Sequence, residues 1–160
     1  MNAEIRFANA DDAKALLEIE QASFEHPWSI ILFETDLEKN PHAKYWLACE
    51  NDVDGKVVGF IGTHNMAGEI NITNVAVHPD YRKQGTADML MNSMLEYFDA
   101  EPNEGITLEV DCENEPAIKL YEKYGFVTEG RRKGYYQNGH DALIMWRRKS
   151  NHIRDIMVGL

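Results

Sequence analysis

The chain has 160 residues, a length that predicts one domain with a substantial hydrophobic core. Its formal net charge of −11 argues against non-specific binding to nucleic acid or to an anionic membrane, and is compatible with a cationic partner. Two cysteines and six scattered histidines provide neither a disulfide framework nor the spacing of a metal site. The first residues lack the pattern of a signal peptide and no apolar run is long enough to span a bilayer, so a cytoplasmic protein is expected.

The first half of the chain predicts one strand, two helices and an antiparallel meander of three strands. The first helix has candidate capping side chains at Asn9, Asp11 and Asp12, and Ser29 can cap the second after a break at Pro27. The expected ranges are 4–8 for the first strand, 11–24 and 29–39 for the helices, and 44–50, 56–65 and 69–77 for the meander.

A small-residue turn follows the meander and opens a helix that is expected to end near Asp99. Gly85 and Ala87 in this turn keep side chains away from the main chain, and Arg82 and Lys83 add positive charge beside it. The first N–H groups of a helix have no internal partner and lie at the positive end of its dipole. The turn can therefore bind an anion such as phosphate, although these residues alone fit equally a plain helix start with two solvated cations.

The stretch 106–111 alternates strictly between apolar and polar residues. Its apolar face should pack on a helix, so that Glu109 and Asp111 point together toward the other side of the sheet. A short helix is expected from Asn114 to Gly125, followed by strands over 126–132 and 141–147. The element order predicts an α+β domain with a mixed, mostly antiparallel sheet and helices on both faces.

The pattern Arg82-x-x-Gly85-x-Ala87 after an apolar strand resembles the pyrophosphate loop of the GNAT N-acetyltransferases, which bind acetyl-coenzyme A (acetyl-CoA) there. The order β-α-α-β-β-β-α-β-α-β-β also matches the fold of that family. In that fold the fourth and fifth strands, here 69–77 and 106–111, splay apart and hold the cofactor between them. The resemblance implies a GNAT domain over residues 1–148 and a C-terminal tail over 149–160.

A second motif, L-E-V followed by N-x-x-A-x-x-L-Y-x-x-x-G-F within 108–126, resembles the RimI branch of this family, the ribosomal-protein-alanine N-acetyltransferases. The resemblance implies that Glu109 is the general base and Tyr121 the general acid. The residues alone favour a solvated or ion-paired strand carboxylate for Glu109, and a core tyrosine, the commoner role on a helix face, for Tyr121. The residues implied to bind acetyl-CoA are Val75, Ala76, Val77, Arg82, Lys83, Gln84, Gly85, Thr86, Ala87, Asp88 and Asn114. Those expected at the acceptor site are Trp28, Asp111, Tyr135 and Tyr136.

The sequence departs from the branch at Asp111, where an arginine is usual. A second carboxylate beside Glu109 would raise the pKa of one of the two and would attract a basic acceptor. Cys112, next in the chain, is interpreted as a small buried residue rather than a nucleophile.

Three functions follow from these patterns as expectations. The first is acetylation of an N-terminal α-amine, that of the N-terminal alanine of the eighteenth small-subunit ribosomal protein. The second is acetylation of a small cationic amine such as a polyamine, and the third is a non-catalytic acetyl-CoA-binding module. None of them calls for a metal, a nucleic acid or a membrane, and the expected state is a monomer or weak dimer.

Overall fold

A computed structural model describes residues 3–149 of the chain, which form a seven-stranded mixed sheet and four α-helices. The strands are β1 (Ala3–Phe7), β2 (Ala43–Glu50), β3 (Val57–Met66), β4 (Glu69–Val77), β5 (Gly105–Asp111), β6 (Val127–Arg132) and β7 (Ala142–Arg148). The helices are α1 (Ala13–Ser23), α2 (Ile30–Glu38), α3 (Thr86–Asp99) and α4 (Glu115–Lys123). The strand order is β1-β2-β3-β4-β5-β7-β6, so the predicted fold and order of elements are confirmed.

The sheet is covered by helices on both faces, with one hydrophobic core on each. On one face α3 buries an apolar stripe at helical spacing, and the predicted apolar face of β5 packs into the same cluster. On the other face α1 and α2 bury Leu16, Ile19 and Phe33 against Leu47 and Phe60. Because strand side chains alternate, the polar face of β5 points to the side of α1 and α2.

The start of the first helical segment is held by two of the three predicted capping side chains, those of Asn9 and Asp12. A short 3-10 turn (Ala10–Asp12) precedes α1, and the Asn9 side chain accepts the Asp11 N–H while the Asp12 carboxylate accepts the Asn9 N–H. Arg6 clamps the same carboxylate with two hydrogen bonds of 2.8 and 2.9 Å. The capping role expected of Ser29 is wrong, because its hydroxyl makes no capping hydrogen bond and its backbone carbonyl instead accepts the Leu32 N–H.

The strands β4 and β5 are parallel, and they are paired only at their beginnings. Their register runs from Glu69 opposite Gly105 to Asn71 opposite Thr107, after which the two strands diverge. A β-bulge accompanies the divergence, because β4 places the extra residue Thr73 between its pairings with β3. The predicted splay of these strands is therefore confirmed.

The predicted tail, 149–160, lies outside the described residues except for Lys149. The ammonium group of Lys149 donates hydrogen bonds to the carbonyl oxygens of Phe98, Asp99 and Glu101 at the end of α3. Among residues 3–149, no helix is both long enough and apolar enough to cross a membrane.

Candidate active site

A cleft of about 740 Å³ opens where β4 and β5 diverge. It is walled by the segments Ile72–Val75 of β4 and Leu108–Asp111 of β5, by the start of α4, by the connection from α1 to α2, and by the loop between β6 and β7. The predicted site residues that line it are Trp28, Val75, Glu109, Asp111, Asn114, Tyr121, Tyr135 and Tyr136. The fold thus brings together the two predicted catalytic residues and all four predicted acceptor-site residues.

The remaining predicted cofactor residues do not line this cleft. Ala76 and Val77 end β4, residues 82–85 lie in the connection that follows, and residues 86–88 begin α3. Gly85 adopts a left-handed backbone with φ of +82°, and an added Cβ would meet no atom within 4 Å. Arg82 Nε donates to the carbonyl oxygen of Val77, which ties the loop to the end of β4. The turn therefore leaves the backbone before α3 accessible at Gly85, as phosphate binding at a helix start requires.

Two predicted cofactor residues make structural contacts within the chain. The Asn114 side chain accepts the Ala117 N–H at 3.3 Å and so caps α4. The Asp88 carboxylate accepts hydrogen bonds from Lys123 (2.7 Å) and from the Tyr124 hydroxyl (2.6 Å), which joins α3 to α4. The Asp88 contacts therefore connect the start of α3 to the end of α4, while the Asn114 contact stabilises the start of α4 itself.

Glu109 projects from the middle of β5 into the cleft, as its place in the alternation predicts. Its carboxylate pairs with Arg132 of β6 at 3.0 Å; the sequence had left an ion pair open as an alternative but did not identify this partner. The hydrogen bond between Tyr135 and Glu109 raises the pKa of the Tyr135 phenol. The pKa of Tyr136 is raised to about 12, first by burial and then by the negative charge of Glu109. Both tyrosines therefore stay neutral beside the carboxylate at physiological pH.

Tyr121 lies on α4 and lines the same cleft as Glu109. Its ring is 8% exposed and meets Phe126 edge-on, with 5.8 Å between the ring centroids. Burial raises its pKa above the ordinary phenol value, and the neighbouring Tyr136 adds to the effect. The phenol is thus a proton donor that stays protonated in neutral and mildly basic solution.

Asp111 also lies at the cleft, but it holds the β6–β7 loop rather than standing as a free charge. Its carboxylate accepts the Glu113 N–H and the Asn138 amide, and pairs with His140 Nδ1 at 2.9 Å. Burial acts to raise the pKa of Asp111, but these hydrogen bonds outweigh it and bring the pKa below the ordinary value. The expected rise in pKa from a neighbouring carboxylate is therefore wrong for Asp111.

Cys112 is only partly buried, contrary to the sequence-based interpretation. Strand β5 ends at Asp111, so Cys112 lies in the turn before α4 and has no place on the buried face of the sheet. The described residues, 3–149, contain no group of three or more histidine, cysteine or carboxylate side chains placed to hold a metal ion.

The sequence analysis missed a buried carboxylate in the cleft wall, Glu20 of α1. Its carboxylate accepts hydrogen bonds from the Trp28 backbone and from the Asn74 side chain. Glu20 lies on the same helical face as Leu16 and Ile19, so an acidic residue within an apolar stripe was the available signal.

The lining of the cleft is strongly acidic. Five carboxylates line it and no lysine or arginine does; the five are Glu20, Glu25, Glu109, Asp111 and Glu113. Arg132 pairs with Glu109 from outside the lining, and His140 within the lining pairs with Asp111. The cleft therefore suits a ligand group that carries positive charge.

The fold and the cleft together are those of an acetyltransferase, and comparison with known proteins agrees. The model of the acetyltransferase (GNAT) family matches residues 13–126. A Bacillus subtilis (strain 168) protein provisionally named as a ribosomal protein bS18-alanine N-acetyltransferase is 37% identical over 145 residues, which cover 90% of this chain and 94% of that protein. The Escherichia coli (strain K12) ribosomal protein bS18-alanine N-acetyltransferase is 32% identical over 137 residues, which cover 84% of this chain and 89% of that protein.

A solved structure supports the same relationship. The crystal structure of the ribosomal-protein-S18-alanine N-acetyltransferase from Escherichia coli superposes with a TM-score of 0.84 at 30% identity, covering 92% of this chain and 94% of that chain. The chain therefore belongs to the acetyltransferase (GNAT) family. It is an acetyl-CoA-dependent N-acetyltransferase similar to the RimI branch.

Proposed function

We propose that the enzyme transfers the acetyl group of acetyl-CoA to the N-terminal α-amine of another protein. The proposed acceptor is the N-terminal alanine of ribosomal protein bS18. The observation that carries the proposal is the cleft between β4 and β5, which has Glu109 on one wall and Tyr121 on another. The names of the two relatives above support the choice of acceptor. We further propose that residues 1–148 form the catalytic domain.

An α-amine suits a carboxylate base better than a lysine side chain does. The pKa of an α-ammonium group is about 7.7–8.0, whereas that of a lysine is about 10.4. At 1.36 kcal/mol per unit, deprotonating the lysine near neutral pH costs roughly 3 kcal/mol more. The acidic lining also attracts an N-terminus that carries a cationic side chain beside its first residue.

In the proposed reaction a base first deprotonates the acceptor ammonium, the amine then attacks the thioester, and an acid finally protonates the leaving thiolate. Glu109, directly or through one water molecule, takes a proton from the acceptor ammonium, and the free amine attacks the thioester carbonyl carbon. The new C–N bond forms as the carbonyl oxygen takes up negative charge. When the carbonyl re-forms and the C–S bond breaks, the departing thiolate receives a proton from the Tyr121 hydroxyl. The second proton of the attacking nitrogen leaves through water and restores the phenol, which gives a neutral amide, and Glu109 releases its proton to solvent.

The cofactor is proposed to lie along the diverging half of β4. Beyond Asn71 this strand has no ladder with β5, so the backbone of Val75, Ala76 and Val77 has no strand partner on that side. The pyrophosphate is proposed to sit on the turn 82–88, where Gly85 leaves the main chain accessible. Asn114, at the start of α4, completes the proposed set of cofactor-binding residues.

A small cationic amine remains the second candidate acceptor, because five carboxylates in the cleft would also attract a polyamine. A competition assay distinguishes the two acceptors. Purified protein would be incubated with acetyl-CoA, a peptide that starts Ala-Arg-Tyr, and spermidine, and the products would be separated by mass spectrometry. Acetylation of the peptide at its α-amine is the expected result. Acetylation of spermidine alone would favour the second candidate and contradict the proposed acceptor.

A further inference from the structure

Glu20 is a buried carboxylate that the catalytic scheme above does not use. It is 2% exposed, yet it lies in the wall of the cleft. One carboxylate oxygen accepts the backbone N–H of Trp28 at 3.2 Å and the other accepts the side-chain amide of Asn74 at 2.5 Å. Burial raises the pKa of Glu20, and the two hydrogen bonds act in the opposite direction without cancelling the rise.

These hydrogen bonds join three parts of the fold around the cleft. Glu20 belongs to α1, Trp28 to the connection between α1 and α2, and Asn74 to β4 next to the bulge at Thr73. The backbone carbonyl of Glu20 also accepts the Phe24 N–H at 3.0 Å. Glu20 therefore holds both ends of the segment 24–28, hereafter the acceptor-side segment, which contributes four residues to the cleft wall: Phe24, Glu25, His26 and Trp28.

Stability alone does not account for an acid at this position. Glu20 continues the apolar stripe of α1 formed by Ala13, Leu16 and Ile19, where a leucine side chain would also be buried. Burying a carboxylate is costly unless its oxygens are paired, and replacing such groups by apolar residues is often neutral or stabilising. What a leucine could not supply is an acceptor for the Trp28 N–H and the Asn74 amide.

We propose that Glu20 is a positioning residue that fixes the acceptor-side segment against β4 and thereby sets the affinity for the acceptor amine. The proposal rests on the proposed function, because it takes the acceptor to enter beside Trp28. It requires no contact between Glu20 and substrate, and it assigns no role to Glu20 in binding acetyl-CoA.

Three variants separate hydrogen bonding from charge. In Glu20→Ala both bonds are lost, and we expect the acceptor KM to rise about tenfold while the Kd for acetyl-CoA stays within about threefold. In Glu20→Gln the amide oxygen can accept the Trp28 N–H and the amide nitrogen can donate to a flipped Asn74, so near wild-type KM is expected. Asn74→Ala removes only the hydrogen bond between Asn74 and Glu20, so the acceptor KM should rise by less than it does in Glu20→Ala. Glu18→Ala, on the exposed face of the same helix, is the matched control.

The experiment combines steady-state kinetics, calorimetric binding of acetyl-CoA and hydrogen exchange of the acceptor-side segment. We expect Glu20→Ala to speed exchange at Trp28 by about tenfold, with little change in the core strands. Unchanged exchange in 24–28, or a loss of acetyl-CoA affinity as large as that of acceptor affinity, would overturn the proposal. If the wild type acetylates neither test acceptor, the proposed function fails, whereas the exchange and acetyl-CoA measurements still decide the role of Glu20.

Discussion

Replacing Tyr121 by phenylalanine tests the assignment of the general acid with little disturbance of the fold. The ring is buried and packs on Phe126, and phenylalanine retains that packing while it removes only the hydroxyl. Loss of the hydroxyl should lower the free energy of unfolding by no more than about 1 kcal/mol. The protein should therefore fold and bind acetyl-CoA normally.

The expected effect on turnover is much larger than the effect on stability. General acid catalysis contributes about 10²- to 10⁴-fold, which corresponds to about 3–5 kcal/mol of barrier at 1.36 kcal/mol per tenfold. The raised pKa of Tyr121 keeps the phenol protonated through neutral and mildly basic solution. Its ionisation should therefore produce no fall in kcat in that range, and the proton should be available in every turnover.

The assay is kcat for the wild type and Tyr121→Phe with a saturating acceptor, alongside the Kd for acetyl-CoA. Tyr97→Phe is the matched control, since Tyr97 lies on α3 and packs with Phe7 and Trp46, away from the cleft. We expect kcat to fall only in Tyr121→Phe. Wild-type kcat in this variant, or a defect confined to acetyl-CoA binding, would refute the assignment.

Three further predictions concern the cofactor turn, the helix start and the cleft charge. Gly85→Ala should cost about 1 kcal/mol of unfolding free energy for its left-handed backbone and weaken acetyl-CoA binding, measured by denaturation and calorimetry. Asp12→Asn should cost about 1–2 kcal/mol by loss of the Arg6 contact. The pKa of Asp12 is lower in the folded protein than in the unfolded chain, so its carboxylate stabilises the fold above the ordinary pKa. This stabilisation disappears as the pH falls through the folded pKa, and thermal melts at a series of pH values would measure the loss. Asp111→Asn weakens the contacts that hold the β6–β7 loop and removes a negative charge, so it should raise KM about two- to fivefold more for an Ala-Arg-Tyr peptide than for Ala-Ser-Tyr.

Each of these predictions has a result that would contradict it. An unchanged acetyl-CoA affinity in Gly85→Ala would mean that this turn does not carry the pyrophosphate. A stability loss in Asp12→Asn that is the same at every pH would argue against the ion pair with Arg6. Equal changes in KM for both peptides in Asp111→Asn would mean that its charge does not select the acceptor.

Local patterns were sufficient to predict most of the fold. The strict alternation over Ile106–Asp111 predicted both the strand and the face on which Glu109 lies, because strand side chains alternate whatever the partner strands are. The spacing of apolar residues in α3 predicted its buried stripe, because residues three and four positions apart lie on the same face of a helix. The predicted end of β5 at Asp111 is also correct, but the burial expected of Cys112 is wrong, because this residue lies just past the strand.

Contacts between distant segments could not be predicted from local patterns. The contacts of Asp111 with Asn138 and His140 depend on how the β6–β7 loop folds back over β5. Together with the hydrogen bond from the Glu113 N–H, they lower the pKa of Asp111, where a neighbouring carboxylate was expected to raise the pKa of one of the pair. The bulge at Thr73 depends on the register between β3 and β4. Glu20 meets Asn74 across 54 positions of sequence, so only the unusual placement of an acid in an apolar stripe hinted at its role.

The most direct test of the account locates the acetyl group on a peptide that offers two kinds of amine. The peptide would start Ala-Arg-Tyr and contain one internal lysine, and fragmentation mass spectrometry would assign the modified nitrogen after a single-turnover reaction with acetyl-CoA. The account predicts acetylation of the α-amine of the alanine, and its loss in Glu109→Gln. Acetylation of the lysine, or an equal rate in Glu109→Gln, would contradict the proposal that this cleft and its carboxylate base act on an N-terminal amine.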